Sequence, residues 1–140
     1  MMRTQTFFLI YSLVILGYFA ALYYLILLSP RRTYKEVYSP FTVIIPCYNE
    51  EYDYLKKCVD SIVNAEGDKQ IILVDNNSNL DGTLKAIEEY KKNGEVLVLE
   101  EKRQGKRFAH SKGLQYAKCD IVVFVDSDTI VLRNSLLELI

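Results

Sequence analysis

The apolar and polar positions divide the chain into three stretches. From Phe7 to Leu28 the run FFLIYSLVILGYFAALYYLILL carries no charge. As a helix it would span about 33 Å at about 1.5 Å per residue, enough to cross a hydrocarbon core. It is longer than the apolar region of a signal peptide and leads into Ser-Pro-Arg-Arg instead of a small-residue cleavage site. Residues 1–29 are therefore expected to be a transmembrane anchor. Residues 30–40, with Pro30, Pro40 and three bases, show no periodicity and are expected to form a juxtamembrane linker.

From residue 41 onward the pattern changes. Four short runs, Thr42 to Ile45, Gln70 to Val74, Val96 to Leu99 and Ile121 to Val125, are rich in Val and Ile and do not alternate with polar residues. That is the pattern of parallel strands buried on both faces. Between them lie stretches of helical length. Tyr52 to Ala65 places Leu55, Cys58, Val59 and Ile62 on one face. Thr83 to Lys92 does the same with Leu84, Ile87 and Tyr90, and Gly105 to Ala117 with Phe108, Ala109 and Leu114. Asn134 is placed to cap a last helix. Strand and helix in alternation predict an α/β fold, a Rossmann-like and mainly parallel sheet flanked by helices, over residues 41–140.

Composition fits a packed domain: half of the residues are apolar and a quarter charged. After residue 28, 18 acids face 16 bases, so general attraction to nucleic acid is not expected. Cys47, Cys58 and Cys119 form no CxxC pair and there is a single histidine. Neither a disulfide framework nor a zinc site is suggested, and reduced thiols facing the cytosol are expected. Tyr11, Tyr18, Tyr23 and Tyr24 are candidate interfacial anchors. Arg31, Arg32 and Lys35 put more positive charge after the apolar run than before it, which orients the domain toward the cytoplasm.

Ligands of open parallel sheets bind beyond the carboxyl ends of the strands. Three of the four expected ends are polar: Pro46-Cys47-Tyr48-Asn49-Glu50, Asp75-Asn76-Asn77-Ser78 and Asp126-Ser127-Asp128-Thr129. An Asp-x-Asp pair leaving a buried strand offers hard oxygen ligands to Mg²⁺ or Mn²⁺, though Asp and Ser also favour strand-end turns for local reasons. The segment 102–118 holds six bases and no acid. Gly105 just before a helix start, followed by Lys106, suits a phosphate; a solvated basic face is the alternative. Tyr48 and Asp75 together can read a nucleobase by stacking and hydrogen bonding. His110, with no second titrating partner at a recognisable spacing, is left out of the site.

The blocks VIIPCYNE at 43–50, ILVDNNS at 72–78, QGKRFAHSKGL at 104–114 and VVFVDSDT at 122–129 occur in that order. With them the chain resembles the family 2 glycosyltransferases of GT-A fold, most closely the hyaluronan, chitin and cellulose synthase branch. The resemblance covers residues 41–140. It implies that Tyr48 and Asp75 contact the uracil of a UDP-sugar, that Glu50 supports the nucleotide pocket and that Lys106 approaches the diphosphate. By the same resemblance Asp126 faces the donor sugar and nucleotide, and Asp128 holds the metal, Mg²⁺ or Mn²⁺. The chain departs from the family pattern at Asn76-Asn77, where Asp-Gly is common, and at Ser111, where Asn is common.

The implied function is inverting transfer of a sugar from a UDP-sugar to a glycan or lipid-linked acceptor at a membrane. The family's general base and acceptor groove belong to a second half with no counterpart in these residues, so a separate C-terminal half or second subunit is an expected partner. A non-catalytic, membrane-tethered nucleotide-sugar-binding protein and a gene remnant are the alternatives.

Overall fold

A computed structural model describes residues 2–29 and 39–140. Most of the expected linker, with Arg31, Arg32 and Lys35, lies outside the described residues. The chain divides into two compact units, residues 1–36 and 37–140.

In the first unit one helix, α1 (Met2–Leu28), takes in the whole apolar run. Ser12, a polar interruption within it, returns its hydroxyl proton to the Phe8 carbonyl at 2.9 Å, so the side chain is satisfied inside the helix. The helix is long and apolar enough to cross a membrane.

The second unit begins with β1 (Phe41–Cys47), followed by α2 (Tyr52–Val63), β2 (Lys69–Asp75), α3 (Asp81–Asn93), β3 (Leu97–Glu100), α4 (Lys106–Leu114), β4 (Ile121–Phe124) and α5 (Ser135–Leu139). All pairings are parallel and the strand order is β3-β2-β1-β4. The chain steps outward from β1 through β2 to β3, then returns to place β4 on the other side of β1. The direction of winding therefore reverses between β1 and β4, where ligand crevices open in such sheets.

Side chains alternate across the sheet as the strand period requires. Phe41, Val43, Ile45, Ile71 and Leu73 pack into the larger core with Leu55, Cys58, Val59 and Ile62 of α2 and Ile87 and Tyr90 of α3. Ile44, Ile72 and Val74 face the other side and pack against Ala109 of α4. β1 is buried along its whole length.

The two outer strands are wetter than the sequence pattern predicts. Leu97 is 39% exposed and Phe124 45%, because the strand order puts β3 and β4 at the sheet edges. Helix faces also differ in detail. Leu84 and Leu114 point outward, and the positions turned inward include Thr83 and Ala86 beside Ile87 and Tyr90 on α3, and Ala109 and Gly113 on α4. Small residues win there because the helices sit close to their neighbours: a β-carbon on Gly113 would lie 2.5 Å from Ile44 Cγ2. Asn134 precedes α5 as expected, but its amide bonds Glu138 Oε1 at 2.6 Å instead of capping the backbone.

Candidate functional site

Pro46 has no N–H to continue the ladder between β1 and β4. That register ends at Ile44 with Phe124, closed by the Val125 N–H on the Ile44 carbonyl at 3.1 Å. The two strands part beyond this point. The gap is a cavity of about 550 Å³ lined by Pro46 and Cys47 at the end of β1, Tyr48 and Glu50 after it, Asn76 after β2, Gln104 to Lys106 at the start of α4, and Asp126 to Asp128 after β4.

Five of the six residues expected in the site, Tyr48, Glu50, Lys106, Asp126 and Asp128, thus share one cavity. Asp75 does not line it. The residue is buried, and Oδ1 accepts the Ser78 N–H at 3.0 Å, three residues on, which fixes the loop leaving β2. Its strand partner Cys47 does line the cavity. His110 stays outside it as well: its ring lies 4.4 Å from that of Phe124, and Nε2 is buried without a hydrogen-bond partner. Burial, then the nearby Lys106 charge, holds that imidazole below its ordinary pKa.

The loops around the cavity are cross-tied. Asn49 adopts a left-handed conformation (φ 52°), which Asn tolerates better than most residues. Its Oδ1 accepts the N–H groups of Asn79 at 2.8 Å and Leu80 at 3.1 Å, and its own N–H donates to Ser78 Oγ at 3.1 Å. The Thr83 hydroxyl donates to the Glu50 carbonyl. At the other tip Ser127 Oγ donates to Glu50 Oε1 at 2.8 Å and Cys58 Sγ donates to the Asp126 carbonyl at 3.3 Å. Glu50 therefore joins the first block to the Asp-Ser-Asp turn. Burial pushes the Cys58 thiol up to about 11 and the Cys47 thiol higher still, so neither is a thiolate near neutral pH.

Charge in the cavity is paired across it: the Lys106 ammonium contacts Asp126 Oδ1. Lys106 opens α4 behind Gly105, whose φ of 123° is open to glycine and few others. Backbone N–H groups and positive charge thus coincide at one helix start. The described residues hold no cluster of three or more cation-ligating side chains. What the cavity offers is two exposed carboxylates, Asp126 and Asp128. Mg²⁺ and Mn²⁺ bind through one or two carboxylates when substrate phosphates and waters complete the shell. The set fits a cation that arrives with a phosphate ligand better than a permanent protein cage.

Behind the cavity, Glu101 accepts the Arg103 guanidinium at 2.9 and 2.8 Å and the Arg103 N–H at 2.9 Å. These bonds, the guanidinium first, pull the carboxyl down from its ordinary 4.5 to about 2. A depressed carboxyl stabilises the fold above its unfolded pKa and loses that contribution as pH falls toward its folded one. Glu101→Gln is thus expected to melt below wild type at pH 6, with the gap closing between about pH 4.5 and about pH 2. A gap that stays constant on acidification would contradict the pairing.

Sequence reasoning gave no role to Asn76, Gln104, Ser127 or Cys47, all of which line the cavity. The departure from Asp-Gly at Asn76-Asn77 was the available signal for the first.

The glycosyl transferase family 2 model matches residues 42–140. The chain belongs to that family. Among curated relatives, an N-acetylglucosaminyltransferase of Mesorhizobium japonicum is 37% identical over 100 residues, 69% of this chain and 24% of the relative. Among solved structures, the mannosyltransferase PcManGT of Pyrobaculum calidifontis, in complex with GDP-Man and Mn²⁺, superposes with a TM-score of 0.70 at 27% identity, covering 88% of this chain and 37% of its own. GalNAc-T7 with UDP, GalNAc and Mn²⁺ gives a TM-score of 0.63 at 30% identity, with 72% and 20% covered. The family domain here has the GT-A-like architecture of these neighbours. The chain spans between 12% and 25% of the length of four curated relatives that it matches.

Proposed function

We propose that residues 41–140 form the donor-binding half of a metal-dependent, inverting glycosyltransferase that takes a UDP-sugar. The observation that carries this reading is the single cavity at the β1/β4 parting, where Tyr48, Lys106, Asp126 and Asp128 meet from separate elements. The family match and the nucleotide-sugar and Mn²⁺ complexes of two structural neighbours support it.

Tyr48, half exposed at the rim, stacks on the uracil. Asp75, outside the cavity lining but next to its Asn76, is the acceptor we assign to the base, through Oδ2, which takes no hydrogen bond among the described residues. Glu50 holds the pocket through Ser127. Lys106 meets the diphosphate, Asp126 faces the sugar and nucleotide, and Asp128 with Asp126 would hold Mg²⁺ or Mn²⁺. A cation bound there would neutralise charge on the leaving diphosphate. An acceptor hydroxyl attacks the anomeric carbon from the face opposite the UDP, inverting its configuration, while a general base removes its proton. That base and the glycan or lipid-linked acceptor site are supplied by a further segment or a second subunit.

We place α1 across a membrane with the domain on the cytoplasmic side, where the basic residues after the apolar run belong. The Gly-Lys-Arg sequence at 105–107 and the apolar α1 ahead of the domain favour the hyaluronan, chitin and cellulose synthase branch.

Calorimetry with UDP and Mn²⁺ tests the reading, and no binding by wild type would end it. Lys106→Met is expected to weaken UDP by about tenfold to a hundredfold, the worth of one charged hydrogen bond. It should not weaken Mn²⁺, because the substitution releases Asp126 from its ion pair.

A further inference from the structure

Asn76 is 4% exposed and stands at the end of β2, its own N–H fixed to the Cys47 carbonyl at 2.9 Å. Its side chain is used almost completely. Oδ1 accepts the Gly105 N–H at 2.7 Å, and Nδ2 donates to the carbonyls of Arg103 at 2.6 Å and Glu101 at 3.2 Å. One acceptor facing an N–H and two donors facing carbonyls fix the orientation of the amide without ambiguity.

These three bonds span the turn that delivers Gly105 and Lys106 to the cavity. The turn's other side-chain ties do not reach β2: Arg103 bonds Glu101 within the turn and lies over the Phe108 ring, Gln104 reaches Tyr48 at 3.4 Å, and Gly105 has left-handed φ. An aspartate at 76, common in the family pattern, can accept from Gly105 but cannot donate to the two carbonyls when ionised. The path of the turn in this chain therefore depends on an amide.

Resting on the donor reading above, we propose that Asn76 is a positioning residue that sets Lys106 and the start of α4 against the diphosphate, and so governs affinity for that part of the donor. It acts through the turn and not by touching the reacting atoms.

The test uses the full 140-residue chain in detergent, with Mn²⁺, and compares UDP with uridine, which lacks the phosphates. Asn76→Asp and Asn76→Ala should each weaken UDP by roughly tenfold or more, the scale of losing a buried hydrogen bond that orders a charged contact, and weaken uridine by less than about twofold. Gly105→Ala strains the same turn from its other side and should reproduce the effect. Combined with Asn76→Ala it should add little, as residues of one network do. Hydrogen exchange supplies a second readout: the Gly105 amide should lose protection in Asn76→Ala while the β1 and β2 amides keep theirs.

Equal losses for UDP and uridine, or unchanged UDP affinity, would overturn this role alone. A wild-type chain that binds no UDP would overturn the donor reading together with it. Asn76→Ala that melts globally, with Gly105→Ala binding UDP normally, would make Asn76 a stability residue only and refute the proposal.

Discussion

Asp128→Ala is expected to lower the affinity for UDP in Mn²⁺ on the order of a hundredfold, about 2.7 kcal/mol, and to leave the weaker metal-free affinity unchanged. The size follows from how few ligands the cavity offers. With no cluster of three cation-ligating side chains among the described residues, the cation depends on Asp126, Asp128 and the donor's own oxygens. Removing Asp128 leaves Asp126 as the one exposed carboxylate, already engaged by Lys106, while Glu50 is tied to Ser127. Adding more Mn²⁺ should therefore not restore the loss. Asp128 is exposed on the loop after β4, so its removal should change stability by no more than about 0.5 kcal/mol. Calorimetry with and without chelator, beside a melting curve, separates the two effects. Equal affinity in both proteins would remove Asp128 from the metal site.

Gly113→Val should produce the largest loss of stability of the substitutions considered. Two opposing terms decide its sign. Leaving glycine in a helix interior gains at most about 1 kcal/mol, and a β-branched residue recovers only part of that. Against it, the new β-carbon would lie 2.5, 3.0 and 3.2 Å from three side-chain atoms of Ile44. Ile44 is fully buried in the central strand and packs with Ile72, Val74 and Ala109, so it has nowhere to go. Overpacking of this kind costs about 1 to 3 kcal/mol per site, and two further methyl groups put valine at the upper end or beyond. A net loss of about 2 to 3 kcal/mol corresponds to a fall in melting temperature on the order of 10 to 20 °C for a domain of this size. Gly113→Ala should show the same sign at smaller size. A valine variant as stable as wild type would mean that α4 does not sit against β1 as described.

What the sequence made legible follows a physical line. Central strands were readable because two-sided burial leaves an uninterrupted apolar run rich in Val and Ile, as in Val43 to Ile45 and Ile71 to Val74. The polar strand tips were readable because chemistry and strand termination coincide at Tyr48, Asp126 and Asp128. Helix faces were less so: Leu84 and Leu114 fit the apolar period, yet close packing of α3 and α4 admits Thr83, Ala86 and Gly113 instead. Least visible were contacts between distant blocks. The partners of Asn76 lie 25 to 29 residues away, and the Lys106 pairing with Asp126 spans 20. Neither leaves a local pattern. Asp75 showed the ambiguity of its residue type, since the same carboxylate that suits a base contact also ties down its own loop through the Ser78 N–H.

Central to the account is one cation held between the Asp-Ser-Asp turn and a diphosphate lying against the start of α4. Pulsed electron-nuclear double resonance on Mn²⁺ with UDP and protein carrying ¹³C at its aspartate carboxylates tests this directly: ³¹P coupling shows phosphate oxygens on the ion, and ¹³C coupling shows that the same ion is held by protein, which free Mn–UDP is not. The account predicts ³¹P and ¹³C coupling on the same Mn²⁺ in the wild-type complex, and loss of the ¹³C coupling in Asp128→Ala. UDP bound by wild type with no ³¹P-coupled Mn²⁺, or the same protein-bound signal in the variant, would contradict it.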